Sequence, residues 1–454
     1  MLRAKFLFFE NIFGIYFLLQ ILIPHHFPFL TTFTGFILLF INKYLFEGFR
    51  LTSFIIILTQ LTLFNTKSIY IGLPLIFILY AGLAYFPIYK YPDPTGKYRV
   101  GYRRFVIPGV TSVGVYYPTQ ERTKDVKYSP DHFSWRRFAD LMIFYAEIGK
   151  RRKLPRILFK IALSFLEHQY LGVNENARIV NAERENKKFP VVAFSHGLSA
   201  NIHLYSVQTK EWASNGFVVF SIDHEEEIYL NPKNYKTSDD FMKERSKQLN
   251  TRKNTARKVL DLISDANYVQ KLFGEQELAL DYNKVFFAGH SFGGASMAEL
   301  AGEDKRATAG VLLLDPWLEA CNTSILYKPL NKPLLSLRSH AFERWRVGES
   351  IAKHAKVNAK MGLSGYFQDS VHNSSTDLLL LLPRELVIFG KIKGMKNIEN
   401  EIRNHSLLTK EFLLTALDYK EKSKPQGTLK LAVLENFRKE LEKSGRDDIL
   451  IVDD

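Results

Sequence analysis

Val285-Phe-Phe-Ala-Gly289-His-Ser291-Phe-Gly293-Gly-Ala295 is the stretch that decides the fold. A short apolar run leads into Gly-X-Ser-X-Gly, and a helix-forming string continues to Ala301. The run reads as a buried strand that turns sharply into a helix. Gly289 and Gly293 leave room for a turn tight enough to push Ser291 out at its tip, the pattern of a nucleophile elbow.

Outward from the elbow the same alternation recurs. Phe189 to Phe194 and Phe217 to Ile222 are continuous apolar strands upstream, separated by a helical pattern from Asn201 to Ser214. A charged amphipathic helix from Leu249 to Leu272 leads to the elbow strand. Downstream, Ala309 to Leu314 is a strand, and Pro333 to Leu337 and Gly362 to Phe367 are shorter candidates. Apolar strands alternating with helices predict a mostly parallel central sheet covered by helices on both faces, and with the elbow the expected fold is that of an α/β-hydrolase. Thr111 to Tyr117 is a further strand at the start of this region, and the chain after Leu382 reads as helical and rich in Lys and Glu.

The chain has 454 residues, of which 46% are hydrophobic and 14% aromatic, so it holds a full core and exceeds one typical domain. Its formal net charge of +14 comes from dispersed basic residues without a stacking platform or zinc spacing, and nucleic acid is not an expected partner. An anionic membrane surface accounts for the charge better. Cys321 is the single cysteine, so no intrachain disulfide forms. Asn322, Asn373 and Asn404 begin Asn-X-Ser/Thr triplets, a pattern common by chance.

Residues 1–90 differ in composition from the rest: four apolar stretches, Ile12 to Ile23, Phe27 to Ile41, Leu51 to Phe64 and Ile69 to Ile88, are joined by short polar connections. Two to four membrane spans fit their lengths. The expected organisation is a helical membrane-anchoring region over 1–90 and a catalytic domain over 91–454. Arg3, Lys5, Lys43, Arg50 and the basic residues after Tyr89 favour cytoplasmic ends, which makes the chain an expected integral membrane protein with a cytoplasmic catalytic domain. Between Phe133 and Leu171 a helical stripe carries the basic run Lys150 to Lys153, a surface helix or an interfacial one.

Candidate site residues follow from position. Asp315 stands at the carboxyl end of the strand after the elbow, and His372 lies in the polar loop Asp369-Ser-Val-His-Asn-Ser-Ser after the last short strand. Ser291, Asp315 and His372 thus come in the order Ser, acid, His, each after a strand. That constellation performs acyl transfer: the imidazole takes the serine proton, and the carboxylate orients the ring and offsets its charge. Asp223, Asp369 and Asp377 compete for the acid's role, and His196, His224 and His290 for the base's. His196 and His290 are expected to hydrogen-bond locally within their glycine-bearing turns, and His224 to be solvated or to support the site. The turn Ser195-His-Gly-Leu-Ser-Ala200 presents backbone N–H groups, and those of Leu198 and Phe292 are the expected oxyanion donors.

Phe194-Ser-His-Gly-Leu-Ser-Ala, Gly289-His-Ser-Phe-Gly-Gly-Ala, Leu314-Asp-Pro-Trp and Ser370-Val-His-Asn resemble the signature blocks of the platelet-activating-factor acetylhydrolases of the plasma and intracellular type II kind. The resemblance covers roughly residues 95 to 435. It implies an α/β-hydrolase that acts without calcium on phospholipids whose sn-2 chain is short or oxidised. It also maps nucleophile, acid and base onto Ser291, Asp315 and His372, and the oxyanion donors onto Leu198 and Phe292. Ser199 replaces a glycine common in the family, Pro316 follows the acid, and the first 90 residues depart from the leaders of the relatives.

Neither a cofactor nor a metal is expected, since no His-Glu-X-X-His, cysteine cluster, calcium loop or Gly-rich phosphate loop is present. The expected partners are a phospholipid substrate and a bilayer. Two other readings fit the sequence: a generic carboxylesterase or neutral lipase, and an inactive membrane scaffold.

Overall fold

The computed structural model describes residues 91–126, 170–180, 188–224, 234–274, 278–343, 347–368, 370–381, 398–421, 428–443 and 450–453. The chain divides into two compact units. The first, 1–90 with 127–170 and 380–392, lies almost wholly outside the described residues. The second, 91–126, 171–379 and 393–454, is the subject below.

Among the described residues no helix is long and apolar enough to cross a membrane. This overturns the expectation of an integral membrane protein with a cytoplasmic catalytic domain. The longest described helix, Ser238–Ile263, has the length of a span but carries acidic and basic residues along most of its turns, including Asp239 and Asp240 in the first. The apolar stretches of residues 1–90 and the basic run Lys150 to Lys153 fall outside the described residues.

Ten strands form one sheet: β1 (Arg99–Ile107), β2 (Thr111–Thr119), β3 (Asn174–Glu175), β4 (Phe189–Ser195), β5 (Val218–Ile222), β6 (Leu280–His290), β7 (Gly310–Leu314), β8 (Leu334–Ser339), β9 (Gly362–Phe367) and β10 (Leu450–Val452). Their order is β10-β9-β8-β7-β6-β4-β5-β2-β1-β3. From β5 through β4, β6, β7 and β8 to β9 every pairing is parallel. β2 joins β5 antiparallel, the β1–β2 hairpin extends that side, and β10 closes the other edge antiparallel to β9. A run of six parallel strands flanked by antiparallel partners is the mostly parallel sheet expected from the sequence.

The longer helices among the described residues are α1 (Ser206–Ser214), α2 (Ser238–Ile263), α3 (Ala266–Phe273), α4 (Phe292–Glu303), α5 (Val347–Asn358), α6 (Ile398–Glu421) and α7 (Thr428–Lys443). Alternation along the central strands gives each face its own core. Val191, Ala193, Phe287, Val311 and Leu313 belong to one buried cluster with Val259 of α2 and Ala295 and Ala298 of α4. Their neighbours point the other way, where Phe194 meets Trp212 of α1 and Phe286 meets Phe412 of α6, ring centroids 5.8 and 6.3 Å apart. Strands buried on both sides explain why β4, β5 and β7 are unbroken apolar runs.

The helix expected over Leu249 to Leu272 is two. The Asp265 carboxylate accepts from the N–H groups of Asn267 and Tyr268 and so caps a new start at α3.

Candidate active site

Ser291 sits between β6 and α4 with φ 53° and ψ −120°, the left-handed half of backbone space that a side chain rarely occupies. Three backbone bonds hold it there: its N–H donates to the Leu314 carbonyl at 2.8 Å, and its carbonyl accepts from Ala295 and Trp317, both at 3.0 Å. The elbow glycines serve clearance. A Cβ on Gly293 would lie 2.1 Å from the Ser195 carbonyl oxygen, and one on Gly289 would lie 2.4 Å from that of Gly293. The first turn of α4 is thereby pressed against the end of β4.

One residue past β7, Asp315 also has a positive φ of 43°, and its N–H donates to the Leu337 carbonyl at 2.8 Å. Its carboxylate is buried, with Oδ1 accepting from the Ser339 N–H at the end of β8. The next residues along, His340 and Ala341, donate their N–H groups to Ser370 Oγ and to the Ser370 carbonyl at 2.9 and 3.2 Å. The end of β8 therefore grips the acid and the His372 loop together.

His372 Nδ1 lies 3.0 Å from Asp315 Oδ2, and His372 Nε2 lies 3.1 Å from Ser291 Oγ. The structure brings together the three residues singled out in sequence, in one hydrogen-bonded line. Nδ1 faces a carboxylate and carries the proton, which leaves Nε2 as the acceptor for the serine hydroxyl. One face of the imidazole stacks on Phe342, centroids 4.3 Å apart and planes 5° from parallel. The His290 ring also lies close, its centroid 4.6 Å from that of His372.

His290 is not locally bonded, contrary to expectation; it bridges distant segments. Its Nε2 faces the His372 carbonyl at 2.9 Å, so Nε2 carries the proton and Nδ1 accepts from Tyr205 Oη at 2.8 Å. Tyr205 Oη in turn accepts from the Gly197 N–H at 2.9 Å. Burial, and then the neighbouring His372, push the His290 pKa down to about 3, so the ring stays neutral beside the base.

Ser195 to Ala200 packs against the serine: a Cβ on Gly197 would lie 3.4 Å from Ser291 Cβ. Among the described residues neither the Leu198 nor the Phe292 N–H donates a hydrogen bond within the protein. Phe292 opens α4, where the helix dipole adds positive potential. Ser199 has φ 69°.

The competing residues have other partners. Asp377 accepts from the N–H groups of Ser206 and Val207 and caps α1. Asp223 lies 3.2 Å from His196, which donates from Nδ1 to the Gly197 carbonyl at 2.8 Å. His224 is half-buried and bonds Ser195 Oγ at 2.8 Å, its pKa held well below the usual value by desolvation and by Arg252, so it supports the turn beside the site. Asp369 lies outside the described residues. Sequence reasoning missed Tyr205, Ser339, Phe342 and Arg252. Only Arg252 had a visible signal, a cation on the stripe Leu249, Ala256, Leu260, Ile263 of α2.

Ligand atoms of His290, Asp315 and His372 lie within 4.8 Å of one another, the one such group among the described residues. These residues do not fit a metal. His290 has spent its lone pair on Tyr205 and its proton on a carbonyl, and both Asp315 oxygens are engaged.

The sequence profile of the platelet-activating factor acetylhydrolase, isoform II, family matches residues 83–431. The chain belongs to that family. Among its relatives, the platelet-activating factor acetylhydrolase of Canis lupus familiaris is 27% identical over 338 residues, 67% of this chain and 72% of that protein. The Cavia porcellus protein of the same name is 25% identical over 347 residues, 68% of this chain and 74% of that one. Among solved structures, a ferulic acid esterase from Streptomyces cinnamoneus aligns with a TM-score of 0.47 at 17% identity, covering 74% of this chain and 94% of that chain. As a member of the acetylhydrolase family the chain is a carboxylic ester hydrolase.

Proposed function

We propose that this family member cleaves the sn-2 ester of phospholipids with a short or oxidised acyl chain, releasing a lysophospholipid and a carboxylate without calcium or another cofactor. The observation that carries the reading is the line Ser291 Oγ, His372 Nε2, His372 Nδ1, Asp315 Oδ2, with links of 3.1 and 3.0 Å. The acetyl group in the relatives' name supports the short chain.

His372 Nε2 takes the Ser291 proton as Oγ adds to the sn-2 carbonyl carbon. The carbonyl oxygen becomes an oxyanion that accepts from the N–H groups of Leu198 and Phe292, which donate to no other group among the described residues and are fixed before the charge develops. Collapse expels the glycerol oxygen, which receives the proton from His372 and leaves as the lysophospholipid alcohol. Water then attacks the Ser291 acyl ester with His372 again as base, and the carboxylate departs. Asp315 stabilises the imidazolium at each stage.

The test is product analysis of the purified protein with matched short-chain and long-chain phosphatidylcholines and a triglyceride, each with and without EDTA, beside Ser291→Ala. The expected result is lysophosphatidylcholine from the short-chain substrate, unchanged by EDTA and absent in the variant. Equal or greater triglyceride cleavage would instead favour the lipase alternative.

A further inference from the structure

Arg252 lies on the apolar stripe of α2 with 1% of its surface exposed. Its Nη1 donates to the His196 carbonyl at 2.5 Å and its Nη2 to the Gly197 carbonyl at 3.4 Å. The guanidinium lies over the Phe292 ring, 4.9 Å from its centroid. The Gly197 carbonyl also accepts from His196 Nδ1. The cation thus touches the peptide that carries the Leu198 N–H and the side chain of the residue that supplies the other expected donor.

The Gly197 carbonyl and the Leu198 N–H belong to one amide. The peptide is conjugated, so a cation bonded to its oxygen draws electron density through the C–N bond and leaves the N–H a stronger donor. The charge is also fixed and desolvated, where electrostatic effects are larger than in water. A methionine would fill the same stripe without desolvating a charge.

We infer that Arg252 is a positioning residue of the oxyanion hole, one that orients and polarises the Gly197–Leu198 peptide and braces Phe292 so that the transition state is bound more tightly than the ester. The inference rests on Leu198 and Phe292 being the oxyanion donors.

The experiment compares wild type, Arg252→Met, Arg252→Lys and Ser291→Ala. Active sites are counted by a chromogenic phosphonate, turnover is measured on a soluble p-nitrophenyl acetate and on a short-chain phosphatidylcholine, and affinity is measured for a trifluoromethyl ketone that forms an oxyanion on the serine. Arg252→Met is expected to lower kcat per titrated site by about ten- to a hundredfold with KM within about threefold, and to weaken the ketone by the same factor. Lys, a point charge without the fork that spans two carbonyls, should fall in between. A merely structural arginine would lower the number of titrated sites and leave kcat per site alone. Unchanged kcat and ketone affinity per site overturn the inference while Ser291→Ala remains inactive. Should Arg252→Met fail to fold, Arg252→Lys decides alone by the same criterion. Activity that survives Ser291→Ala removes the underlying reading, and this one with it.

Discussion

The imidazole of His372 lies against the Phe342 ring in a parallel stack, 4.3 Å between centroids and 5° between planes. In the proposed acyl transfer this imidazole would gain a proton, and the negative face of an aromatic ring favours a cation by about 0.5 to 2 kcal/mol. Phe342→Leu preserves burial and removes that face. It is expected to lower kcat about three- to tenfold with KM little changed. Steady-state kinetics that match wild type would leave Phe342 a packing role alone.

Asp315→Asn keeps an oxygen for the Ser339 N–H but loses the charge that holds the His372 proton on Nδ1. The expected loss in kcat is about 10⁴-fold with the thermal midpoint nearly unchanged. A kcat within tenfold of wild type would remove Asp315 from the acid's position.

Tyr205→Phe leaves two buried groups without partners, the Gly197 N–H and His290 Nδ1. Each orphan costs about 1–3 kcal/mol. Urea denaturation should show a loss in that range or above. Activity per folded molecule should fall as well, because this hydroxyl ties the turn that carries Leu198 to the loop that carries His372. A variant as stable as wild type would show that water replaces the hydroxyl.

Acid should destabilise the fold from pH 6.5 downward. Burial lowers the pKa of His290 to about 3, His354 to about 4 and His405 to about 3. Their folded values lie below the unfolded one, so between these limits the unfolded chain binds more protons. Stability is then complete above pH 6.5 and declines as pH falls toward the folded values. At pH 5.5 the three together remove about 4 kcal/mol relative to pH 8. The carboxyls of Glu211 and Asp377, raised by burial, act in the opposite direction. Neither ring nitrogen of His354 has a hydrogen-bond partner among the described residues, so His354→Leu should flatten the profile by about 1.4 kcal/mol at pH 5.5. An unaltered profile, measured by thermal melts from pH 8 to 5, would contradict the neutral burial of this ring.

Ser199→Gly should stabilise. Ser199 holds φ 69°, where an L side chain is strained by about 1–2 kcal/mol and glycine is not. The expected gain is about 1 kcal/mol after the entropy of the added glycine. A lower melting temperature would mean that the serine hydroxyl contributes more than the strain removes.

Much of the central sheet was legible because β4, β5 and β7 are covered on both sides and must be apolar throughout. Gly362–Phe367 matched its expected bounds. β10 was missed, since Leu-Ile-Val beside aspartates is too short to show a period and depends on pairing with β9. Within the site, Ser291, Asp315 and His372 were visible because each follows a strand end. Tyr205 and Phe342 were not, because their roles exist only through contacts with residues 85 and 30 positions away. The start of α1 was expected near Asn201 but falls at Ser206, where the Asp377 carboxylate supplies the cap from a distant loop.

Backbone bonds lock Ser291 to Leu314 and Asp315 to Leu337, each crossing to the strand next in the sheet. The spacing of serine and acid is therefore a property of sheet register, with β6, β7 and β8 as its ruler. Parallel strands joined by long crossovers associate late in folding, after loop closure has been overcome. Competence to react is accordingly among the last events of refolding, and a serine-directed label added during refolding times the completion of the sheet and does not report collapse.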